Sequence, residues 1–425
     1  MTAKYKRDLA EKIILHRKEI LEWQAKHSQE APPPFYCSID LRDAGYKITP
    51  VDSNLYPAGF NNICPEDMRA SPPIIRAQIE TAVIALGRSA PKQVLIIPEF
   101  HTTNLFYLEN LYYLHQLVES AGFEVRIGWM SNPPLEAALQ LKTQTEKIIT
   151  AYPVKIEAGV ASAYGFVPDV ILLNNDFSGG YPEQLDSVTQ PILPSHRLGW
   201  HSRKKSDHFK YYNQLASEFA GMIGIDPWLL QIDTESVGPV NFNENVGTDA
   251  VAESVKRILE RTQTAYNKYG VTRKPFVFIK NNSGTYGMGI MVVHSAEELM
   301  TMNRRTKNKM SVGKNHTSIE SVAVQEGVPT ATLVDRLAAE PVVYLVGGKL
   351  IGGFLRTNTE RGDEDNLNSP GMAFRKLCMS DLNILDEDPE ESASIAKKSV
   401  LELVYGSIAQ ISALAAGKEL ANRTS

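Results

Sequence analysis

The sequence predicts an α/β protein, in which an N-terminal parallel α/β domain precedes a second domain carrying a glycine-rich hairpin. Three observations predict it. Apolar strand patterns alternate with a helical pattern between residues 93 and 176, two apolar runs flank three closely spaced glycines near residue 287, and 425 residues suffice for two or three domains.

The first segment, "MTAKYKRDLAEKIILHRKEILEW", spaces Leu9, Ile13, Ile20 and Leu21 near the helical period among charges. It stops at "APPPF", where consecutive prolines forbid continuation, so one amphipathic helix is expected. "FYCSIDLRDAGYKITPVDSNLYPAGFNNI" reads as short strands and a turn-rich loop, with a helix over residues 74–87 after it. "QVLIIPEF" is a buried strand, "NLFYLENLYYLHQLVESAG" a helix with a glycine stop, and "FEVRIGWM" and "DVILLNND" are further strands. Strand, helix, strand in that order predicts a parallel sheet.

A basic cluster, His196, Arg197, His201, Arg203, Lys204 and Lys205, opens the second region and suits either a solvated turn or an anion site. Helices over 209–222 and 250–268 enclose a hydrophilic run from Thr234 to Gly247 that reads as a long connection. "PFVFIK", "VAVQEGV", "PVVYLV" and "KLIGGFLR" are strands, "TNTERGDEDNLNSPG" is a polar loop, and residues 391–415 form a closing helix.

A net charge of −5 provides no general attraction for nucleic acid or an anionic membrane. No uninterrupted apolar stretch approaches the roughly 20 residues of a membrane helix, so a cytoplasmic protein without nucleic-acid or membrane partners is expected. Cys37, Cys64 and Cys378 are odd in number, far apart and without C-x-x-C, which predicts neither a disulfide framework nor a sulfur-ligated zinc site.

The stretch "FVFIKNNSGTYGMGIMVV" offers the most specific chemistry. A phosphate P-loop needs G-x-x-x-x-G-K-[ST], but Ile290 and Met291 follow Gly289; a dinucleotide fingerprint needs a third glycine and a helix, but a β-branched run follows. What remains is a strand lysine, Lys280, ahead of a flexible loop whose amides can approach an anion. A plain structural hairpin has the same pattern. The strand "VAVQEGV" ends in groups that could meet an adenine edge or form an ordinary sheet edge.

A strand lysine, a glycine hairpin, a strand ending in Q-E-x-V and a later strand arginine, in this order, resemble the ATP-grasp superfamily of carboxylate-amine ligases. The chain resembles more closely the bacterial glutamate-cysteine ligase family of ATP-grasp-like architecture. The resemblance rests on "SIDLRDAGYKITPVDSNLYPAGFNN", "PEFHTTNLFYLENL", "HFKYYNQLASEFAGMIGIDPWLL", "KNNSGTYGMGIM", "VQEGV" and "NLNSPGM", spanning most of residues 35–380. It implies a substrate domain over residues 1–200 and an ATP-grasp-like domain over 201–425, the latter divided into a lid at about 250–330 and a sheet with the closing helix over 331–425. It further implies ATP and Mg2+, with L-glutamate and L-cysteine as substrates joined through an acyl phosphate. A glutathione synthetase-type ligase and a non-catalytic nucleotide-binding protein are the alternatives.

Carried onto this sequence, the resemblance assigns the ATP phosphates to Lys280 and to the lid residues Ser283, Gly284, Tyr286, Gly287 and Gly289. Lys210 is the matching earlier lysine, with Lys204, Lys205, Lys268 and Lys274 as competitors. Gln325, Glu326 and Val328 would hold adenine, Asp335 the ribose, and Arg356 the transferring phosphoryl group. An acid-x-asparagine pair for Mg2+ is offered twice, by Glu364, Asn366 and Asn368 and by Asp52 and Asn54. Arg42, Asn61 and Asn62 are substrate candidates, as are Glu99, His101 and Asn104 at the carboxyl end of "QVLIIPEF", where open α/β sheets bind ligands.

Overall fold

The computed structural model describes residues 2–100, 103–131, 133–178, 180–284, 289–311, 319–379 and 399–424. The candidates His101, Tyr286 and Gly287, and the expected start of the closing helix, lie outside them.

The N-terminal stretch forms two helices, Thr2–Leu15 and Arg17–Glu30, where one was expected. His16, at φ −102° and ψ 20°, leaves the helical region, and Leu21 turns out to be half exposed while Leu9, Ile13 and Ile20 are buried. After the prolines come β1 (Tyr36–Asp43) and β2 (Ile48–Asn54). Then follow β3 (Gln93–Pro98), β4 (Glu124–Trp129), β5 (Leu139–Lys142), β6 (Ile148–Glu157), β7 (Val160–Ala163), β8 (Val170–Asn174) and β9 (Ile192–Leu193). The later strands are β10 (Thr234–Val237), β11 (Val277–Asn281), β12 (Ile290–Val293), β13 (Val322–Glu326), β14 (Leu333–Val334), β15 (Leu337–Val346), β16 (Lys349–Asn358) and β17 (Met372–Lys376).

These strands build three sheets. The first has the order β5-β6-β4-β3-β8-β9, with β7 on β6; β3 pairs in parallel with β4 and β8, as the strand-helix-strand pattern predicts, and the strands β6 and β9, which it did not anticipate, add parallel pairs with β4 and β8. The second, β10-β13-β11-β12, is antiparallel and carries the glycine hairpin between β11 and β12. Its edge strand β10 lies within the run read as a pure connection, because Thr234–Val237 pairs with β13 in register from Thr234↔Gln325 to Val237↔Val322.

The third sheet, β17-β16-β15-β1-β2 with β14 on β15, is also antiparallel. It joins strands from both ends of the chain, so it crosses the division expected at residue 200. One of its faces, with Cys37, Ile39, Leu41, Val343 and Leu345, packs against the helices Lys205–Met222 and Val400–Thr424 in the main core. The other face carries Tyr36, Val342, Tyr344 and Phe354 at one end, packed on the parallel domain, and becomes charged at the other. Two antiparallel sheets thus face each other beside a parallel α/β domain, the α/β arrangement expected.

By length and composition Val400–Asn422 could cross a membrane, but 83% of its most apolar window is buried inside the protein, as suits a core helix. Two features tie distant parts together. Cys64 and Cys378 form a disulfide with Cα atoms 5.2 Å apart, contrary to the expectation of unpaired cysteines; their separation of 314 residues leaves no local trace. Arg203 donates from Nε and Nη2 to Glu419 at 2.9 and 2.8 Å and from Nη1 to the Ser53 carbonyl at 3.1 Å, with both side chains almost wholly buried. Removing one partner of such a pair strands a buried charge. Arg203→Ala is therefore expected to lower unfolding free energy by about 3–5 kcal/mol, read from the urea midpoint; a loss below about 1 kcal/mol would contradict this account.

Candidate active site

The charged end of the third sheet meets the glycine-hairpin sheet in a cleft. Its lining includes Asp40, Arg42, Asp52, Lys280, Glu340 and Arg356, with Asn366 and Asn368 from the β16–β17 loop and Phe278 and Ile290 as apolar wall. Strand pairing explains the convergence. Asp40 lies opposite Asp52 across β1 and β2, and Glu340 opposite Arg356 across β15 and β16, so four adjacent strands present their charges on one face.

Arg356 is the hub. Its Nη1 lies 2.6 Å from both Asp40 Oδ2 and Glu340 Oε1. Burial alone would oppose its charge, but Asp40 and Glu340 outweigh that and raise the guanidinium above its usual range. Asp40 is itself pushed up, first by burial and also by Glu340 and Asp52, while Arg356 counteracts. Arg42 Nε lies 2.8 Å from Glu340, and its Nη1 and Nη2 donate to the carbonyls of Asp363 and Asp365 at 3.0 and 2.7 Å. Arg42 thus fastens the asparagine loop over the sheet.

Lys280, on β11, crosses from the other sheet. Its Nζ donates to the Val51 carbonyl at 2.8 Å and to Gln325 Oε1 at 2.7 Å. Burial pulls its ammonium down to about 8; Asp52 opposes this, and Lys205 and Arg42 add to it. Asp52 is held below the usual carboxylate range, because Lys205 and Lys280 overcome the effect of burial. The glycine hairpin is anchored beside it: Ser283 Oγ donates to the Arg203 carbonyl at 2.8 Å, and Asn281 N–H to the Gly289 carbonyl at 2.9 Å. Gly284 and Gly289 have φ of 143° and 61°, and a Cβ on Gly289 would come within 2.7 Å of Ile319.

Among the competing lysines, Lys205 is the one that enters the cleft's network, with Nζ 2.5 Å from Asp52 and its backbone N–H on the Asn282 carbonyl. Lys210, Lys204 and Lys274 are exposed, and Lys268 pairs with Asp226. Lys205 opens the helix Lys205–Met222, one turn earlier than expected, which turns it inward while Lys210 faces solvent.

The two acid-asparagine loops converge in part. Asp52, Asn366 and Asn368 line one cleft. Asn54 instead closes a turn onto Tyr56, and Glu364 faces Arg273 and His294, each at 3.2 Å. Glu326 is buried, with both carboxylate oxygens on Lys47 Nζ at 2.7 and 2.8 Å. The N–H groups of Glu326 and Gly327 are spent on the carbonyls of Asp233 and Phe276, and Val328 is buried in the main core. Asp335 sits at positive φ in the β14–β15 turn beside Arg375, apart from the cleft. Gln325 joins the cleft through its side-chain bond to Lys280.

The first-loop residues Asn61 and Asn62 form a half-buried turn, joined by a 3.1 Å bond between their side chains. Asn104 caps the helix Leu105–Ser120 by accepting from the Tyr107 N–H. Glu99 lines a separate cavity of about 1080 Å³ with Trp129 and Asp176, at the carboxyl ends of the parallel strands. Sequence reasoning missed Asp40 and Glu340. The signal was present: Asp40 alternates with Ser38 and Arg42 on one face of "SIDLRD", and Glu340 interrupts the apolar run "LAAEPVVYLV".

The sequence matches the glutamate-cysteine ligase family over residues 10–420. No curated protein matches. A crystal structure described as a gamma-glutamylcysteine synthetase, from Methylobacillus flagellatus, is 36% identical and covers 98% of this chain and 96% of its own, with a TM-score of 0.85. A glutathione synthetase-like effector from Globodera pallida is 12% identical, covers 83% of this chain and 85% of its own, and gives a TM-score of 0.39. D-alanyl-alanine synthetase A from Vibrio cholerae is 11% identical over 75% of this chain and 82% of its own, at 0.31. The chain belongs to the glutamate-cysteine ligase family, ATP-dependent enzymes that form a carbon-nitrogen bond.

Proposed function

We propose that this protein joins the γ-carboxylate of L-glutamate to the amino group of L-cysteine at the cleft between the two antiparallel sheets, in the cytoplasm. The observation that supports it most is the convergence of Arg42, Lys205, Lys280 and Arg356 on one cleft whose other polar side chains are carboxylates and amides. Phosphoryl transfer from ATP to a carboxylate asks a protein for fixed positive charge around oxygens that gain charge, with no covalent work.

In this reading Lys280 and Lys205 grip the ATP phosphates, and Arg356 steadies the phosphoryl group as it moves. Asp40 and Glu340 hold the Arg356 fork in place, and Arg42 positions the asparagine loop. Asp52, Asn366 and Asn368 offer the hard oxygen donors that Mg2+ takes and would hold it. When bound, the ion would neutralise phosphate charge at this point. The glycine hairpin closes over the phosphates and excludes water from the acyl phosphate.

ADP release measured with single amino acids and with pairs is expected to require glutamate and cysteine together. Turnover with a different acid and amine, and none with this pair, would overturn the substrate assignment.

A further inference from the structure

The cavity at the carboxyl ends of β3, β4 and β8 has a character opposite to that of the cleft. Its described walls carry three carboxylates, Glu99, Asp176 and Glu183, and no lysine, arginine or histidine. The cleft offsets its three carboxylates, Asp40, Asp52 and Glu340, with Arg42, Lys280 and Arg356, and Lys205 on Asp52 adds a surplus positive charge. A ligand rich in carboxylate or phosphate is repelled from the first and drawn to the second, whereas a cation is sorted the other way.

The rest of the cavity wall narrows the ligand further. Phe100 and Trp129, with ring centroids 5.6 Å apart, and the thioether of Met130 make a soft, polarizable surface of the kind sulfur favours. The Ser178 hydroxyl lies in the same wall, buried and without a hydrogen-bond partner among the described residues, although such a group ordinarily finds one. The cavity is also coupled to the cleft. The Asp176 carbonyl accepts the Trp200 N–H at 2.8 Å, and the Trp200 ring carries Lys205 Nζ 4.3 Å from its centroid while that ammonium reaches Asp52. Phe177 packs on Tyr56, just beyond β2, at 5.8 Å.

We propose that this cavity receives the amine substrate, an α-amino acid with a thiol side chain. Glu99 and Asp176 hold its ammonium, Ser178 donates to its carboxylate, and Met130 and Trp129 face its sulfur. The assignment rests on the reading of the protein as an amide-forming ligase with separate acid and amine substrates. In the step it serves, the bound ammonium first gives up one proton to solvent, and the neutral amine nitrogen then bonds to the acyl carbon while the carbon-oxygen bond to phosphate breaks. Phosphate leaves with the electron pair and takes up the nitrogen's second surplus proton.

Steady-state kinetics of ADP release test it. Glu99→Gln and Asp176→Asn are expected to raise KM for cysteine at least tenfold, and Ser178→Ala about fivefold, while KM for ATP and for glutamate stays within about twofold. Replacing cysteine by L-2-aminobutyrate keeps the ammonium and carboxylate but removes sulfur, so the same variants should weaken both substrates in parallel. Asp176 is the most buried of the three; if its variant fails to fold, Glu99→Gln and Ser178→Ala decide the matter. An active wild type whose Glu99 and Ser178 variants keep the parent KM for cysteine, or raise that for glutamate instead, overturns this assignment alone. A wild type that turns over glutamate with no amine overturns the ligase reading and the assignment with it.

Discussion

Arg356→Ala is expected to lower kcat about a thousandfold. The guanidinium is buried and sits between Asp40 and Glu340 in the cleft, and in the mechanism proposed a charge fixed in advance there would act on the reacting phosphoryl group without reorganisation. The same substitution leaves two carboxylates facing each other in the sheet, which costs stability of about 3–5 kcal/mol. Urea unfolding must therefore accompany the kinetic assay. Arg356→Lys separates the two effects: one cation remains for the carboxylates, so stability largely returns, but the planar fork is lost and kcat stays at least tenfold low. A folded alanine variant with kcat within tenfold of the parent would refute the role given to Arg356.

Lys280→Ala should cost about a hundredfold or more in kcat/KM for ATP, because the ammonium is the one charge that the described residues of the hairpin sheet bring to the cleft lining. Its acidity makes the role measurable in a second way. Burial holds the ammonium at about 8, below its ordinary 10.5. An unfolded chain keeps this proton up to about 10.5, so between roughly pH 8 and 10.5 the unfolded state binds more protons and the folded state gains stability as pH rises. Below pH 8 the buried charge opposes folding. Incoming phosphate charge favours the ammonium, so ATP binding near pH 8 should take up a proton, seen as a binding enthalpy that changes with the buffer's ionisation heat. kcat/KM for ATP should fall above about pH 8, and Lys280→Arg should move that limb beyond pH 10. A profile flat to pH 9.5 in the parent enzyme would contradict this.

Much of the architecture was legible in the residues. "QVLIIPEF", "FEVRIGWM" and "DVILLNND" became β3, β4 and β8 in parallel; the helix Leu105–Ser120 returns the chain from β3 to β4, and the wholly buried β8 lies on the other side of β3. The hairpin, the QEGV strand and the arginine strand also fell where their patterns put them. Individual positions were less legible. Lys210 and Lys205 differ by little over one helical turn, and a helix beginning at Lys205 turns one to solvent and the other to Asp52. Glu326 carries the same letters as an exposed strand end, but Lys47, 279 residues away, makes it a buried ion pair.

What the sequence determined by itself was the order of strands, helices and motifs, since periodicity and turn chemistry act over a few residues. Only the tertiary structure decided which charges meet. Arg356 finds Asp40 across 316 residues, Lys205 finds Asp52 across 153, and Cys64 finds Cys378 across 314. Such encounters follow from sheet order and register, which bring β1 and β2 beside β15 and β16. A local pattern cannot specify them, because the energy that selects them is released only when the distant strands pair.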